Sequence, residues 1–367
     1  MDERREFVFF ASQKDANVSA LCRQYSISRQ TGYKWLRRGG SPSEDFRDRS
    51  RMPLKHPMRT PAAMEAAVLA VRDAHPAWGA RKIARCLHRD GLTPPADSTV
   101  HAILARHDRI GPEARSQQSY GCFEKSAPNQ LWQMDFKGRV RMHDPDWCHP
   151  LTVLDDHSRF SPVLEACGDE RTTTVKPLLT KALRRYGLPD AIYVDNGSPW
   201  GTGVPGGWTP LGVWLLKLGI RVIHGRPYHP QGRGKIERFH RTLKAEVFTA
   251  RPYAGLGLDR LQRRFDDWRT IYNMDRPHEA LGMDVPASRY HPSSRPFPDH
   301  LPEVQYDSID IVRRVSSTKA YVSFKGRPWK VSRAFRGERL AIRPTAKDSQ
   351  YGIFFGATQI GSIDLNT

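Results

Sequence analysis

The chain has 367 residues, 38% hydrophobic and 26% charged, which is length enough for one sizeable core and further modules. Lys and Arg number 58 against 39 Asp and Glu, giving a formal net charge of +19 that is spread along the chain rather than gathered in a tail. That balance favours a polyanionic partner, because each phosphate neutralised releases counterions, and no stretch approaches the roughly 18 consecutive apolar residues that a membrane helix requires.

The opening MDERREF is charged and unlike a signal peptide, so a cytoplasmic location is expected. The first patterned segment is Val18 to Arg38. Val18, Leu21 and Cys22 fall at helical spacing, a polar turn around Ser26 and Ser28 interrupts, and Tyr33 and Leu36 resume the spacing on a second helix with Ser28 as N-cap. This is a helix-turn-helix pattern assigned to residues 1–40. Its second helix carries Arg29, Gln30, Thr31, Lys34, Arg37 and Arg38, side chains suited to phosphates and base edges. An ordinary helical hairpin with a solvated face is the structural alternative.

Residues 41–59 are rich in Gly, Ser, Pro and charge and read as a linker. Residues 60–108 repeat the design, with a helix from Ala62 to Ala74, a second in which Ile83, Ala84 and Leu87 form the apolar stripe, and a third with Val100, Ile103 and Leu104. A second helix-turn-helix-like domain is expected, and two such readers in tandem suit a bipartite site. Another polar linker covers 109–127.

From 128 to 290 the pattern changes. LWQMDFKGRV, HPLTVLDDHS and SPVLEACG read as three strands, Thr172 to Tyr186 as a helix, AIYVDNG as a strand, Thr209 to Leu218 as a helix, IRVIHG as a strand, and Gln231 onward as a long helix. Three antiparallel strands followed by alternating helices and strands make an α/β core with a mixed five-stranded sheet. A Pro-rich linker, 291–305, precedes alternating segments at 306–367 that suggest a small β-barrel. Cys22, Cys86, Cys122, Cys148 and Cys167 are odd in number and contain no C-x-x-C pair, so they read as reduced, structural thiols.

Three acids stand out by position. Asp135 shares one face of the first strand with Leu131 and Gln133, and Asp195 ends AIYVDNG at the carboxyl edge of the sheet, where open α/β sites tend to lie. Glu237 lies on the long helix, flanking the stripe of Ile236, Phe239, Leu243 and Val247, with Arg233, His240, Arg241 and Lys244 on its side. Singly, each has a plain reading: a strand residue, a turn residue, and an ion pair with Arg241. Together they could hold Mg²⁺, a hard ion that prefers carboxylate oxygens, and in-line attack on a phosphodiester uses two such ions about 4 Å apart.

The runs LWQMDFKG, LTVLDDHSRF, YVDNGSPW, WLLKLGIRVIHGRPYHPQGRGKIERFHRTLKAEV and YNMDRPHEALGMDVPASRY resemble DDE transposases of the bacterial insertion sequences related to retroviral integrases, and more narrowly the IS481-type members. The resemblance implies an RNase H-like catalytic fold with Asp135, Asp195 and Glu237 as metal-binding acids. It also implies that Lys244 contacts DNA near the active site. Arg233, Lys235 and Arg241 are expected to contact DNA as well. The implied activity is metal-dependent cleavage and strand transfer by two Mg²⁺ ions, with Mn²⁺ able to substitute. The implied partners are element-end and target double-stranded DNA, with a homodimer or larger assembly formed on the DNA in the nucleoid. A DNA-binding regulator on a non-catalytic scaffold and a plain RNase H-type nuclease are the competing readings.

Forty-one residues lie between Asp195 and Glu237, more than is usual for the retroviral-type motif, and the surplus falls in Pro199 to Pro210, read as a loop across the site. Within it Trp200 is a candidate for base stacking, whereas Trp132 and Trp214 are read as core. Asp155 and Asp156 are read as a hairpin device rather than metal ligands. His157 and His229 invite a general-base role, which two-metal hydrolysis does not require, and His229, just before the glutamate helix, is a candidate for contact with DNA or the leaving group. Asn273 to Leu281 is expected to close the core by packing, with Arg276 and His278 able to face DNA.

Overall fold

The computed structural model describes residues 3–39, 59–110, 123–142, 147–203, 207–225, 234–249 and 255–366. They fall into two compact units, Met1–Arg59 and Thr60–Thr367. The linker expected at 41–59 and the residues Arg233 and His229 lie outside the described residues, apart from Arg59.

In the first unit three helices, α1 (Glu3–Ala11), α2 (Val18–Gln24) and α3 (Arg29–Gly39), close around Phe7 and Cys22. Asn17 caps α2 by accepting from the Ala20 amide at 3.0 Å, and Ser28 caps α3 by accepting from the Thr31 amide at 3.1 Å. Gly32 is where α3 crosses its neighbours. A Cβ there would meet Cys22 Sγ at 2.6 Å and Phe7 Cζ at 2.9 Å, so only glycine permits the approach. Tyr33, expected to be apolar core, is instead 52% exposed, and Trp35 packs inward against Phe7.

The second unit begins with α4 (Ala62–Ala74), α5 (Ala80–Arg89) and α6 (Asp97–Arg106), which bury the anticipated Ile83, Leu87, Val100, Ile103 and Leu104 around Val68 and Trp78. This bundle docks on the core. Arg85 reaches Asp284 at 2.8 Å, Arg89 donates to the Asp275 carbonyl at 3.0 Å, and Ile271 packs against the bundle's apolar residues.

The core sheet contains β1 (Trp132–Phe136), β2 (Val140–Arg141), β3 (Trp147–Asp155), β4 (Val163–Cys167), β5 (Ala191–Val194) and β6 (Arg221–His224). The expected strand LWQMDFKGRV breaks at Lys137 to Arg139 into β1 and the two-residue β2. β4, β3 and β1 run antiparallel, and β5 and β6 continue from β1 in parallel, so the path β4-β3-β1-β5-β6 is the mixed sheet of an RNase H-like core. One face is covered by α7 (Thr172–Tyr186) and α8 (Pro210–Lys217) over Trp132, Met134, Ile192 and Val194. The other carries α9 (Gly234–Leu243), a π-helical continuation (Lys244–Thr249) and α10 (Leu258–Met274), packed through Phe239, Leu243, Val247, Phe265 and Trp268.

Asn273, at the end of α10, accepts from the Ser161 amide at 2.8 Å and donates to its carbonyl at 3.1 Å, and so closes the core as expected. Arg276 and His278 do not face DNA in this structure. Arg276 is 8% exposed and paired with Glu246 at 2.9 Å, and His278 is 9% exposed against Tyr272. Burial without a partner on Nε2 disfavours the charged imidazole and lowers the pKa of His278 to about 2.

The C-terminal strands β7 (Ile311–Arg314), β10 (Arg339–Pro344), β11 (Gln350–Phe355) and β12 (Thr358–Asp364) form a four-stranded antiparallel sheet. A hairpin of β8 (Tyr321–Phe324) and β9 (Arg327–Lys330) accompanies it. Val322, Phe324, Leu340 and Ile342 join the same apolar cluster as α8 and Trp208. Lys217 pairs with Glu338 at 2.6 Å across that junction.

Candidate active site

Asp135 and Asp195 are brought together by strand register. β1 and β5 pair in parallel with Trp132 opposite Ile192 and Gln133 opposite Tyr193, and the same offset carried forward sets Asp135 beside Asp195 at the carboxyl ends of both strands. Neighbouring strands lie roughly 4.8 Å apart. Trp132, Met134, Ile192 and Val194 point to the α7 and α8 face, so alternation turns Asp135 to the face covered by α9, whereas Asp195 lies just past the end of β5.

α9 carries Glu237, and two polar contacts fix that helix to the aspartate strand. At its start the Ile236 amide donates to Gln133 Oε1 at 3.3 Å, and Gln133 Nε2 donates to Asp156 Oδ1 at 2.9 Å. Lys235 pairs with the same carboxylate at 2.6 Å. One turn on, Thr152, the register partner of Asp135 on β3, donates its hydroxyl to the Asp135 carbonyl at 2.8 Å. That hydroxyl has one hydrogen, so its 2.8 Å contact with His240 requires His240 Nε2 to be the donor. His240 lies three residues after Glu237, so the linkage ties the helix that carries Glu237 to the strand next to Asp135. Glu237 itself is exposed, and among the described residues it forms no ion pair with Arg241.

The expected cations differ in what they do. Lys235 was expected to contact DNA, but it is 13% exposed and bound to a carboxylate that is 1% exposed, where the attraction between desolvated opposite charges holds it inward. Arg241 and Lys244 are exposed. Lys137, not singled out by sequence, lies two residues past Asp135, close enough to Lys244 that their repulsion adds to burial in lowering its pKa. In α3, Arg29, Gln30, Lys34 and Arg37 are exposed, Arg38 is half-buried, and Thr31 is turned to the Ser28 hydroxyl at 2.9 Å. Gln30, Tyr33, Leu36 and Arg37 line an open groove on that helix.

Asp155 and Asp156 serve the hairpin, as their spacing suggested. Asp155 accepts from the Asn129 amide at 2.7 Å and from both the amide and hydroxyl of Ser158 at 2.8 and 2.6 Å, while burial raises its pKa. Asp156 accepts from the Lys125 amide at 2.8 Å. His157 is turned to the Lys125 carbonyl at 2.8 Å, away from the aspartates' role. Cys148 and Cys167 are buried and unpaired, and burial pushes both thiols up to about 12, so neither is a reactive thiolate.

Trp200 is not a stacking platform for bases. It is 1% exposed, stacked on Phe136 at 5.3 Å between ring centroids, and its indole N–H donates to Asp195 Oδ1. Around it the turn is tight. The Gly201 amide donates to the Gly197 carbonyl at 2.7 Å, and the Gly203 amide to the Asn196 carbonyl at 2.8 Å.

The donor set, carboxylate oxygens at adjoining strand ends, has the chemistry that Mg²⁺ selects. Beside it Gly197 leaves a cradle: a Cβ there would meet Asp195 Oδ2 at 3.2 Å and Oδ1 at 3.3 Å. Among the described residues, however, no group of three or more His, Cys, Asp and Glu is gathered closely enough to hold a metal ion. The aspartates lie at the same end of adjoining strands, and Glu237 on α9 is exposed.

Comparison with known proteins gives the same architecture. Residues 125–230 and 218–286 match models of the integrase core domain, residues 310–367 the IS481 family transposase C-terminal domain, and residues 31–104 a homeodomain-like domain. The Gag-Pro-Pol polyprotein of squirrel monkey retrovirus is 32% identical over 117 residues, 32% of this chain and 6% of that protein. The Gag-Pol polyprotein of walleye dermal sarcoma virus is 30% identical over 164 residues, 43% of this chain and 9% of that protein. The chain thus spans a small fraction of these relatives. Among solved structures, the simian T-cell lymphotropic virus intasome in complex with a PP2A regulatory subunit aligns over 79% of this chain and 96% of that one, at 16% identity and a TM-score of 0.39. No helix among the described residues is long and apolar enough to cross a membrane.

Proposed function

We propose that this chain, whose domains are those of an IS481-type transposase with an integrase core, binds the ends of a mobile DNA element and moves them by phosphodiester cleavage and strand transfer. In the first step water attacks phosphorus at an element end and the P–O3′ bond breaks, freeing a 3′ hydroxyl. In the second that hydroxyl attacks a target phosphodiester, one P–O bond forming as another breaks.

Asp135, Asp195 and Glu237 are the residues that would hold a pair of Mg²⁺ ions, with Mn²⁺ as substitute. When bound, such ions activate the attacking oxygen and stabilise the leaving one, for water and a 3′ hydroxyl alike. The chain's own contribution is placement. The parallel pairing of β1 and β5 carries both aspartates to one end of the sheet, and the Gln133, Lys235 and Thr152–His240 contacts fix the glutamate helix to the sheet. Lys137, Arg241 and Lys244 offer phosphate contacts at the same end of the sheet, and the exposed face of α3 offers a separate reader. Joining two ends calls for at least two protomers, so a homodimer or larger assembly on DNA follows.

The observation that supports this reading is the parallel pairing of β1 and β5, which brings Asp135 and Asp195 to the same end of the sheet, with the helix that bears Glu237 fixed to β1 through Gln133. The test uses the full chain, labelled DNA taken from the two flanks of its coding sequence, and Mg²⁺ or Mn²⁺. The wild type is expected to cut and join, and Glu237→Gln to bind equally while losing both products by at least about a hundredfold, the scale on which one electrostatic group at the reacting centre acts. Equal reactivity of the two would remove Glu237 from the site. Binding without reaction by both would favour the regulator.

A further inference from the structure

The Asp195 carboxylate is gripped by its own loop. Oδ1 accepts twice, from the Gly197 amide at 3.0 Å and from the Trp200 indole N–H. Two donors on one oxygen fix the carboxylate plane and, among the described residues, leave Oδ2 with its lone pairs uncommitted. The donor is itself held. Trp200 lies against Phe136, the residue after Asp135, its carbonyl accepts from the Thr209 hydroxyl at 3.3 Å, and Gly201 follows where a Cβ would collide with the Asn196 carbonyl. An indole so confined delivers its N–H in one direction, and it ties the position of one aspartate to the strand that carries the other.

Satisfying a buried indole N–H would be reason enough for the contact if any acceptor were at hand. Two features make it more than that. The acceptor chosen is a half-exposed carboxylate at a strand end, and Gly197 keeps its approach clear, since a side chain there would press on both oxygens.

We propose that Trp200 is a positioning residue for the metal site: its indole N–H, with the Gly197 amide, presets the Asp195 carboxylate to bind a divalent cation through Oδ2. This rests on the reading of Asp195 as a metal ligand. Hydrogen-bond partners of metal ligands hold about 10- to 100-fold in metal affinity, which sets the expected size.

The probe is Mn²⁺ alone, titrated into the full chain and followed by loss of the free-ion electron paramagnetic resonance signal, with thermal melting recorded for every variant. Trp200→Phe keeps a ring on Phe136 and deletes the donor. It is expected to weaken Mn²⁺ binding about tenfold or more while melting close to wild type, and Trp200→His, which regains an N–H, is expected to recover part of the loss. Gly197→Ala, at a backbone φ open to alanine, is expected to weaken binding with Trp200 in place, and it serves if Trp200→Phe does not fold. Asp195→Asn separates the two levels of the claim. If it abolishes Mn²⁺ binding while Trp200→Phe and Gly197→Ala bind as wild type, the positioning role is overturned and the ligand assignment stands. If Asp195→Asn binds as wild type, the ligand assignment fails and the positioning role with it.

Discussion

At the scale of single residues, the three acids proposed as metal ligands stand out in the sequence because each sits where a pattern ends: Asp135 and Asp195 at strand ends, Glu237 at the edge of an apolar stripe. Trp200 was not legible, because a loop has no period, and its place was decided by an indole N–H seeking an acceptor. His278 was misread for a related reason. Its neighbours Arg276 and Asp275 are polar, yet it is 9% exposed, and burial lowers its pKa to about 2. The sign of the consequence follows from proton counting. In the unfolded chain His278 takes up a proton as pH falls through about 6.5, whereas the folded chain refuses it until about pH 2, so the unfolded state binds more protons in that window. Stability should therefore be full above pH 6.5 and fall below it by up to about 1.4 kcal/mol per pH unit from this group. Denaturant titrations of wild type and His278→Phe between pH 7 and 5 measure the difference, and identical pH slopes for the two would show that His278 is not buried neutral.

At the scale of elements, the five core strands and the helices over them were readable from periodicity, since alternation and 3.6-residue stripes report which face is buried. The break of the first strand was not read, although it falls at Lys137 to Arg139, where Gly138 takes a φ of 85°. Nor was the anchoring of α9, which depends on groups more than a hundred positions apart, the Gln133 side chain and the Ile236 amide. Lys235 belongs to that anchor. Replacing it with Met leaves the Asp156 carboxylate, 1% exposed, without its cation, at a cost of about 3 kcal/mol and a drop in melting temperature of several degrees. Element-end binding should weaken only as far as α9 loosens. A variant that melts as wild type but loses DNA affinity would return Lys235 to the phosphate-contacting set.

At the scale of the molecule, composition alone pointed to a polyanion, and the Pro-, Gly- and Ser-rich stretches marked where modules end. Less visible was that residues from Thr60 onward pack into one compact unit. That fusion rests on dispersed contacts, Arg85 with Asp284 and Lys217 with Glu338 among them, which no local pattern announces. In the unit Met1–Arg59, α3 exposes Arg29, Lys34 and Arg37. If these three meet phosphates, each contributes about 0.9 to the slope of log affinity against log salt. Replacing all three with Ala should then flatten the slope for element-end duplex by up to about 2.7, with the unit still folded because none of the three is in its core. Far-ultraviolet circular dichroism checks the fold, and binding isotherms from roughly 50 to 200 mM salt give the slope over the range where phosphate contacts dominate. An unchanged slope would mean that the charge of +19 is spent on DNA elsewhere in the chain and that α3 is a solvated helix rather than a reader.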